Sequence, residues 1–394
     1  MEEIKMDDTN INISDVAALL NLKIIKKTQR ETLCVCPICG DKRGKFSFNT
    51  NKNKYNCFHC DSKGGPVTLY MNVMDIQTPK KAANELYKAL QSNNIVYNNF
   101  YKVEEEDEDI PKKEDSYIAK VYKSYLSKLV LKKEHKEDLM KRGLTEEQIK
   151  YFCYKSVPKS SYSICNDLQE EGFDLSGVPG FIKKKNGYFV YNHSGYYCPV
   201  FNKNREIIGM QIRVDNPVNG AKYVWFSSPN CSSGGLTTYL EGTTDVAIIT
   251  EGINKAIITY ALLNGKITVI GVPGIKVLNS LKPLLKKYTG YIYEAFDMDK
   301  AVETENEKEL LKSKRIENAA SDLRTLVENM GIAISPLKWD FDEKLHWNGN
   351  YKGIDDFLLV YGRKNIEERF IPFLINKADK QLKIINYLKG SGNS

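Results

Sequence analysis

No apolar run in this sequence is long enough to cross a bilayer, so a helical membrane span is not expected. The opening MEEIKMDDTN is acidic and polar and does not read as a secretory signal. An even disulfide framework is also missing. There are nine cysteines; five lie between Cys34 and Cys60, while Cys153, Cys165, Cys198 and Cys231 stand singly. An odd, uneven set without a signal fits a reducing, cytoplasmic location, with thiols that are free or metal-bound. No G-x-x-x-x-G-K-[ST] occurs, which removes the P-loop reading.

What is present fits a folded chain of two or three domains: 394 residues, 42% hydrophobic and 11% aromatic. The net charge of +7 is unevenly distributed. Residues 23–66 carry ten Lys/Arg against three Asp/Glu, a candidate footprint for phosphates. Residues 102–116 carry eight acids against three lysines with no apolar period, and read as a self-repelling linker.

CPICGDKRGKFSFNTNKNKYNCFHC (36–60) holds two C-x-x-C pairs separated by seventeen residues. This is zinc-ribbon spacing: each pair sits on a tight turn, and two turns together offer four thiolates to one tetrahedral ion. Cys36, Cys39, Cys57 and Cys60 are the expected ligands of one structural zinc. Cys34 and His59 are the alternatives nearby. A redox dithiol would need one such pair before a helix, not two matched pairs. FSFNT and KYNCF read as a hairpin between the turns, with Phe46, Phe48 and Tyr55 alternating.

Further on, VAIIT (246–250) ends in Glu251–Gly252 and is followed by the helical pattern INKAIITYALLN. ITVIG (267–271), a helix candidate at 275–287, GYIYEAF (290–296), a long amphipathic helix at about 303–329 and ISPLKW follow. Strand–helix alternation predicts a parallel sheet with crossover helices. Glu251 and the Asp297-Met298-Asp299 motif fall at carboxyl ends of strands, the edge at which open α/β sheets bind ligands. Carboxylates converging there repel one another unless a cation intervenes, and magnesium suits such an oxygen site. On that ground, neutralising Asp297 and Asp299 is expected to cost no stability.

These motifs resemble a known family. The proline after the first ligand, the basic turn, F-S-F and C-F-x-C look like the zinc-binding domain of bacterial DNA primases, in which the second ligand is usually histidine; INISDVAALLNLKIIKK resembles its opening helix. Glu-Gly and Asp-x-Asp resemble the Toprim domain. LMKRGLTEEQIKYFCYKSVP (139–158), PVFNKNREIIGMQIRV (199–214) and AKYVWFSSPN (221–230) resemble primase core segments, so the likeness runs discontinuously from about 11 to about 360.

The resemblance implies an α+β and α/β multidomain chain: a zinc ribbon at 1–96, an acidic flexible linker at 97–116, a primase core subdomain at 117–240, a Toprim parallel-sheet domain at 241–345, and an acidic element with a short helical tail at 346–394. It implies a primase that synthesises short RNA primers on single-stranded DNA from ribonucleoside triphosphates, with a replicative helicase supplied in trans and no membrane partner. Glu251, Asp297 and Asp299, joined by Asp355 of KGIDDFLL, would be catalytic and hold two Mg2+ or Mn2+ ions. Arg213, Lys222 and Arg142 would meet template or nucleotide, and those of the ribbon aromatics Phe46, Phe48, Tyr55 and Phe58 that do not fill the ribbon's small core would stack on bases. In one departure, EGINK puts Lys255 where the family carries an aspartate. The arrangement around KGIDDFLL looks more like primases of phages, plasmids and integrated elements. The thirty-eight residues after Asp356 are fewer than a helicase-binding domain would need, and without a P-loop no fused helicase is expected. Two other readings fit the same residues: a Toprim nuclease, and a non-catalytic single-stranded DNA-binding protein.

Overall fold

The computed structural model describes residues 11–28, 31–76, 78–91, 111–184, 187–190, 194–215, 222–228, 231, 233–274, 278–286, 288–302, 304, 306–344 and 346–391. The described residues form two compact units. One draws on 1–112, 176–193 and 216–232; the other on 113–175, 194–215 and 233–394. Most of the expected linker, 97–110, lies outside the described residues; a helix begins at Asp115.

The first unit begins with helix α1 (Ile13–Leu19) and an antiparallel sheet in the order β1 (Ile24–Lys27), β2 (Thr32–Cys34), β3 (Phe46–Asn49), β4 (Lys54–Cys57) and β5 (Lys63–Gly64). Helices α2 (Pro66–Met74) and α3 (Pro79–Gln91) follow. Phe46 pairs with Cys57 and Phe48 with Tyr55 across the β3–β4 hairpin. Their side chains share one face, so all three aromatic rings enter the core beside Ile13, Val16, Leu69 and Leu86. The rings of Phe46 and Tyr55 stack at 5.4 Å. These three rings are therefore closed to stacking on bases; Phe58, at 58% exposure, is open. Asn53 fastens α1 to the hairpin: its Oδ1 accepts from the Ile13 amide at 2.7 Å and its Nδ2 donates to the Ile11 carbonyl at 2.8 Å. Residues 182–184 and 187–189 form a separate two-stranded hairpin in this unit.

The second unit holds two sheets. In the smaller, β6 (Lys155–Ser156), β7 (Gly195–Phe201) and β8 (Ile207–Val214) pair antiparallel, β7 between the other two. Helices α4 (Asp115–Ser127) and α5 (Lys133–Lys141) precede it. Tyr125 on α4 and Tyr197 on β7, both fully buried, satisfy each other's hydroxyls at 2.8 Å.

The larger sheet has the order β9 (Thr238–Leu240), β11 (Thr268–Val272), β10 (Val246–Glu251), β12 (Tyr291–Glu294) and β13 (Ala333–Pro336). β10 is parallel to both its neighbours, β12 is parallel to β13, and only β9 runs antiparallel. Helix α6 (Ile253–Leu262) carries the chain from β10 to β11, and α7 (Glu307–Glu328) from β12 to β13. The buried runs of β10 and β11 explain their near-continuous apolar sequence: each is covered on both faces. The α/β reading is thus borne out, with one local difference. The helix expected at 275–287 reduces, among described residues, to a 3₁₀ turn at Leu278–Ser280 and a short helix at Leu281–Leu285; Pro283 has no amide to continue an earlier helix. Past β13, α8 (Ile354–Tyr361) and α9 (Ile371–Ser391) close the unit.

Candidate functional site: a thiol cluster and a carboxylate edge

The two cysteine turns of the first unit are built alike. Gly40 N–H donates to Cys36 O at 2.8 Å, and Asp61 N–H donates to Cys57 O at 2.9 Å. Buried Asp41 stiffens the first turn by accepting from Arg43 N and Nε. The four sulfurs of Cys36, Cys39, Cys57 and Cys60 lie within 4.8 Å of one another. Two edges of the group measure 3.9 Å (Cys36–Cys60) and 3.8 Å (Cys39–Cys57). Zinc–sulfur bonds of about 2.3 Å give a tetrahedral edge of about 3.8 Å, so the donor set and its dimensions fit zinc. Hydrogen bonds from Cys36, Cys57 and Cys60 hold the Cys39 thiol low, and contacts with the other three push the Cys36 thiol up. Cys34 is buried but outside the cluster, its thiol pushed up to about 11 by that burial. His59 Nδ1 lies 3.4 Å from Cys39 Sγ, beside the cluster.

In the second unit, Glu251 is the last residue of β10, and Gly252 takes φ +98° to turn into α6. That conformation favours glycine, and it lets Gly252 N–H donate to Val272 O at 2.7 Å. Asp297 and Asp299 stand in the turn after β12, each about 14% exposed. Asp355 stands in the first turn of α8 and is buried, and its Oδ1 has no hydrogen-bond partner among the described residues. Burial pushes its carboxyl up to about 6, with Lys255 pulling the other way. Burial and neighbouring Asp297 also raise Glu251.

Among the described residues, three lysines form ion pairs at this acidic edge. Lys255, on the first turn of α6, forms an ion pair with Asp297. Lys352 pairs with Asp299 at 2.6 Å and with Asp297 at 3.5 Å, and Lys312 pairs with Asp299 at 2.6 Å. Burial works against the charge on Asp299, but Lys312 and Lys352 hold its carboxyl low. Burial likewise opposes the charge on Lys255, and Asp297 and Asp355 more than offset it. The expectation that Asp297 and Asp299 could be neutralised without loss rested on repulsion between them; as partners of ammonium groups, they have that repulsion already compensated.

Beneath the turn lies a fully buried carboxylate that sequence patterns did not expose. Glu294 accepts from Lys300 Nζ at 2.6 Å, from Arg324 at 2.9 Å and from Phe296 N–H at 2.7 Å. It locks the end of β12 to α7 and so fixes where Asp297 and Asp299 stand. Only its place at the end of an apolar strand hinted at it.

Among the basic residues, Arg142 and Arg213 meet at one carboxylate. Each Nε lies 3.2 Å from Asp138 Oδ2, which also accepts from Tyr196 at 2.8 Å. Burial opposes charge on Asp138, yet the Tyr196 hydroxyl and the two guanidiniums keep its carboxyl low. Lys222 belongs to the other unit and is exposed. A Ser156–His135–Asp215 chain also occurs, with contacts of 2.6 Å and 2.9 Å. Ser156 is buried and its Oγ accepts from Lys132 N–H, so the chain pins β6 to α5 and offers no accessible nucleophile.

Residues 2–101 match the CHC2 zinc finger family. Over 305 residues, 74% of this chain, the sequence is 21% identical to the DNA primase of Clostridium acetobutylicum, covering 49% of that protein. It is 22% identical to the DNA primase of Legionella pneumophila over 320 residues, 75% of this chain and 51% of that one. The chain thus spans about half the length of these curated relatives. In fold it resembles the zinc-binding and RNA polymerase domains of the Aquifex aeolicus primase, with a TM-score of 0.50 and 17% identity over 94% of this chain and 84% of that one. The chain thus resembles bacterial DNA primases along most of its length, and its first hundred residues match the CHC2 zinc finger family.

Proposed function

We propose that the chain is a DNA primase, making short RNA primers on single-stranded DNA by metal-assisted nucleotidyl transfer. One observation supports the reading: Glu251 and the Asp297–Asp299 turn stand at the carboxyl ends of the adjacent parallel strands β10 and β12, in a chain that also bears a zinc-ribbon thiol cluster. All-oxygen donors suit magnesium or manganese, and the four thiolates suit zinc.

Glu251, Asp297 and Asp299, with Asp355 behind them, would hold the catalytic divalent ion. When bound, that ion lowers the pKa of the primer 3′-hydroxyl and neutralises charge on the phosphate under attack. The carboxylates orient it, and Glu294 with Lys300 and Arg324 keeps their turn rigid. Lys352 and Lys312, about half exposed, can leave Asp299 for solvent as the ion and nucleotide arrive. Arg213 and Arg142, held in place by Asp138, and Lys222 would neutralise phosphates of nucleotide or template. The ribbon would read template through its lysines and exposed Phe58. The helicase is expected to act in trans.

The test is incubation with circular single-stranded DNA, magnesium and labelled ribonucleotides. Short labelled oligoribonucleotides are expected. Magnesium-dependent degradation of the DNA without nucleotides would establish the nuclease instead, and binding alone would establish the non-catalytic reading.

A further inference from the structure

The carboxylate edge carries its own cation. Of the three ammonium groups there, Lys352 and Lys312 reach in from the surface, at 46% and 50% exposure. Lys255 does not: it is 18% exposed, rises from the first turn of α6 and pairs with Asp297. The space beside it is closed. A Cβ built on Gly353 would fall 2.3 Å from Asp355 Oδ1 and 3.3 Å from Lys255 Nζ, so this ammonium and the unpaired carboxylate oxygen crowd the same point. An ammonium paired with one carboxylate and close to a second does electrostatically what a metal ion would do there, as a compact point charge, but it cannot be released from the chain.

We propose that Lys255 is a built-in cation, paired with Asp297 and lying beside Asp355, so that this edge takes one exchangeable divalent ion, held by Glu251, Asp297 and Asp299, in place of the two that its number of carboxylates would accommodate. The proposal rests on the metal-assisted reading above and refines it. Lys352 and Lys312 shield the exchangeable position and move aside for the incoming ion, whereas Lys255 stays. The ion that binds must therefore share Asp297 with a fixed positive charge, and its affinity is lower for it.

The test is Mn2+ binding to the zinc-loaded full-length chain, read by electron paramagnetic resonance and calorimetry. The wild type is expected to bind one Mn2+ that is lost in Asp297→Asn/Asp299→Asn. Lys255→Met, which keeps the methylene packing but removes the charge, is expected to bind Mn2+ at least tenfold more tightly. Lys255→Asp is expected to bind two. A wild type that binds two Mn2+ ions, both lost in the Asn variant, would overturn the built-in cation while leaving the carboxylate site standing, and needs no variant at position 255 to fold. Affinity unchanged in a folded Lys255→Met would overturn it equally. Mn2+ binding that is indifferent to Asp297→Asn/Asp299→Asn would instead remove the carboxylate site itself, and this proposal with it.

Discussion

The backbone N–H of Met298 donates to the carbonyl of Lys352 at 2.9 Å. Met298 lies between Asp297 and Asp299; Lys352 lies three residues before Asp355. This one bond joins two acidic elements more than fifty residues apart and sets their spacing. Gly353, next in the chain, is where that spacing leaves no room for a side chain. Gly353→Ala should displace the Asp355 carboxylate and weaken Mn2+ binding by about tenfold or more, with a stability loss of about 1–3 kcal/mol, typical of overpacking. Calorimetric titration and urea melts of the same variant measure both.

Asp297→Asn/Asp299→Asn should reduce primer synthesis at least about a thousandfold, because neutral amides hold a hard cation poorly. It should also destabilise the chain by about 1–3 kcal/mol, because Lys255 is left largely buried with weaker counter-charges. Thermal melts beside primer assays check the pair of effects. A double variant as active as wild type would remove these carboxylates from the chemistry.

The buried Asp355 gives a pH signature. Its folded carboxyl is pushed up to about 6, above its unfolded value, so the folded state binds the extra proton in between. Stability from this group therefore falls as pH rises from about 4 through 6 and stays lost above it, by about 3 kcal/mol at most. Asp355→Asn abolishes that fall. Without divalent ions, the variant should match wild type near pH 4 and exceed it by roughly 2–3 kcal/mol at pH 7.5. Denaturation at both values, taken as a difference between the two proteins, cancels any shared loss of zinc.

Glu294→Gln should cost about 3–5 kcal/mol, since it strands Lys300 and Arg324 against a neutral amide in a fully buried position. Urea unfolding measures the cost. The same substitution should lower primer synthesis through the displaced turn, although Glu294 itself meets neither ion nor substrate.

Cys57→Ser should lose zinc, and Cys34→Ser should keep it, because Cys34 is buried on β2 outside the sulfur cluster. Elemental analysis of the two purified variants decides the ligand register. Full zinc in Cys57→Ser would overturn it.

The parts of the site that could be read in the sequence are those fixed by local geometry. Two C-x-x-C turns need only their own spacing to aim four thiols inward. Glu251 and Asp297 follow strands whose apolar runs announce where they end. What was hidden depends on long-range closure. Lys352 reaches Asp299 only through the Met298 bond, and Asp138 joins Arg142 to Arg213 across α5 and β8. Phe46, Phe48 and Tyr55 showed their alternation, but not that α1, α2 and α3 would cover the face they share. Lys255 was visible as an unexpected residue; its role as partner of Asp297 came only from the fold.

The strand order of the larger sheet also bears on how the chain comes off the ribosome. β10 lies in the middle, yet the strands on either side of it are made later, and the buried Tyr293 hydroxyl finds its acceptor only at Leu374. From Val246 to Pro336, the end of the last strand of that sheet, is 90 residues, which takes roughly 4–18 s to synthesise at about 5–20 residues per second. For that interval the apolar run VAIIT has no finished sheet to enter. Until that sheet is complete the nascent chain carries an unpaired apolar strand, and its yield in the cell should depend on chaperones that shield such segments.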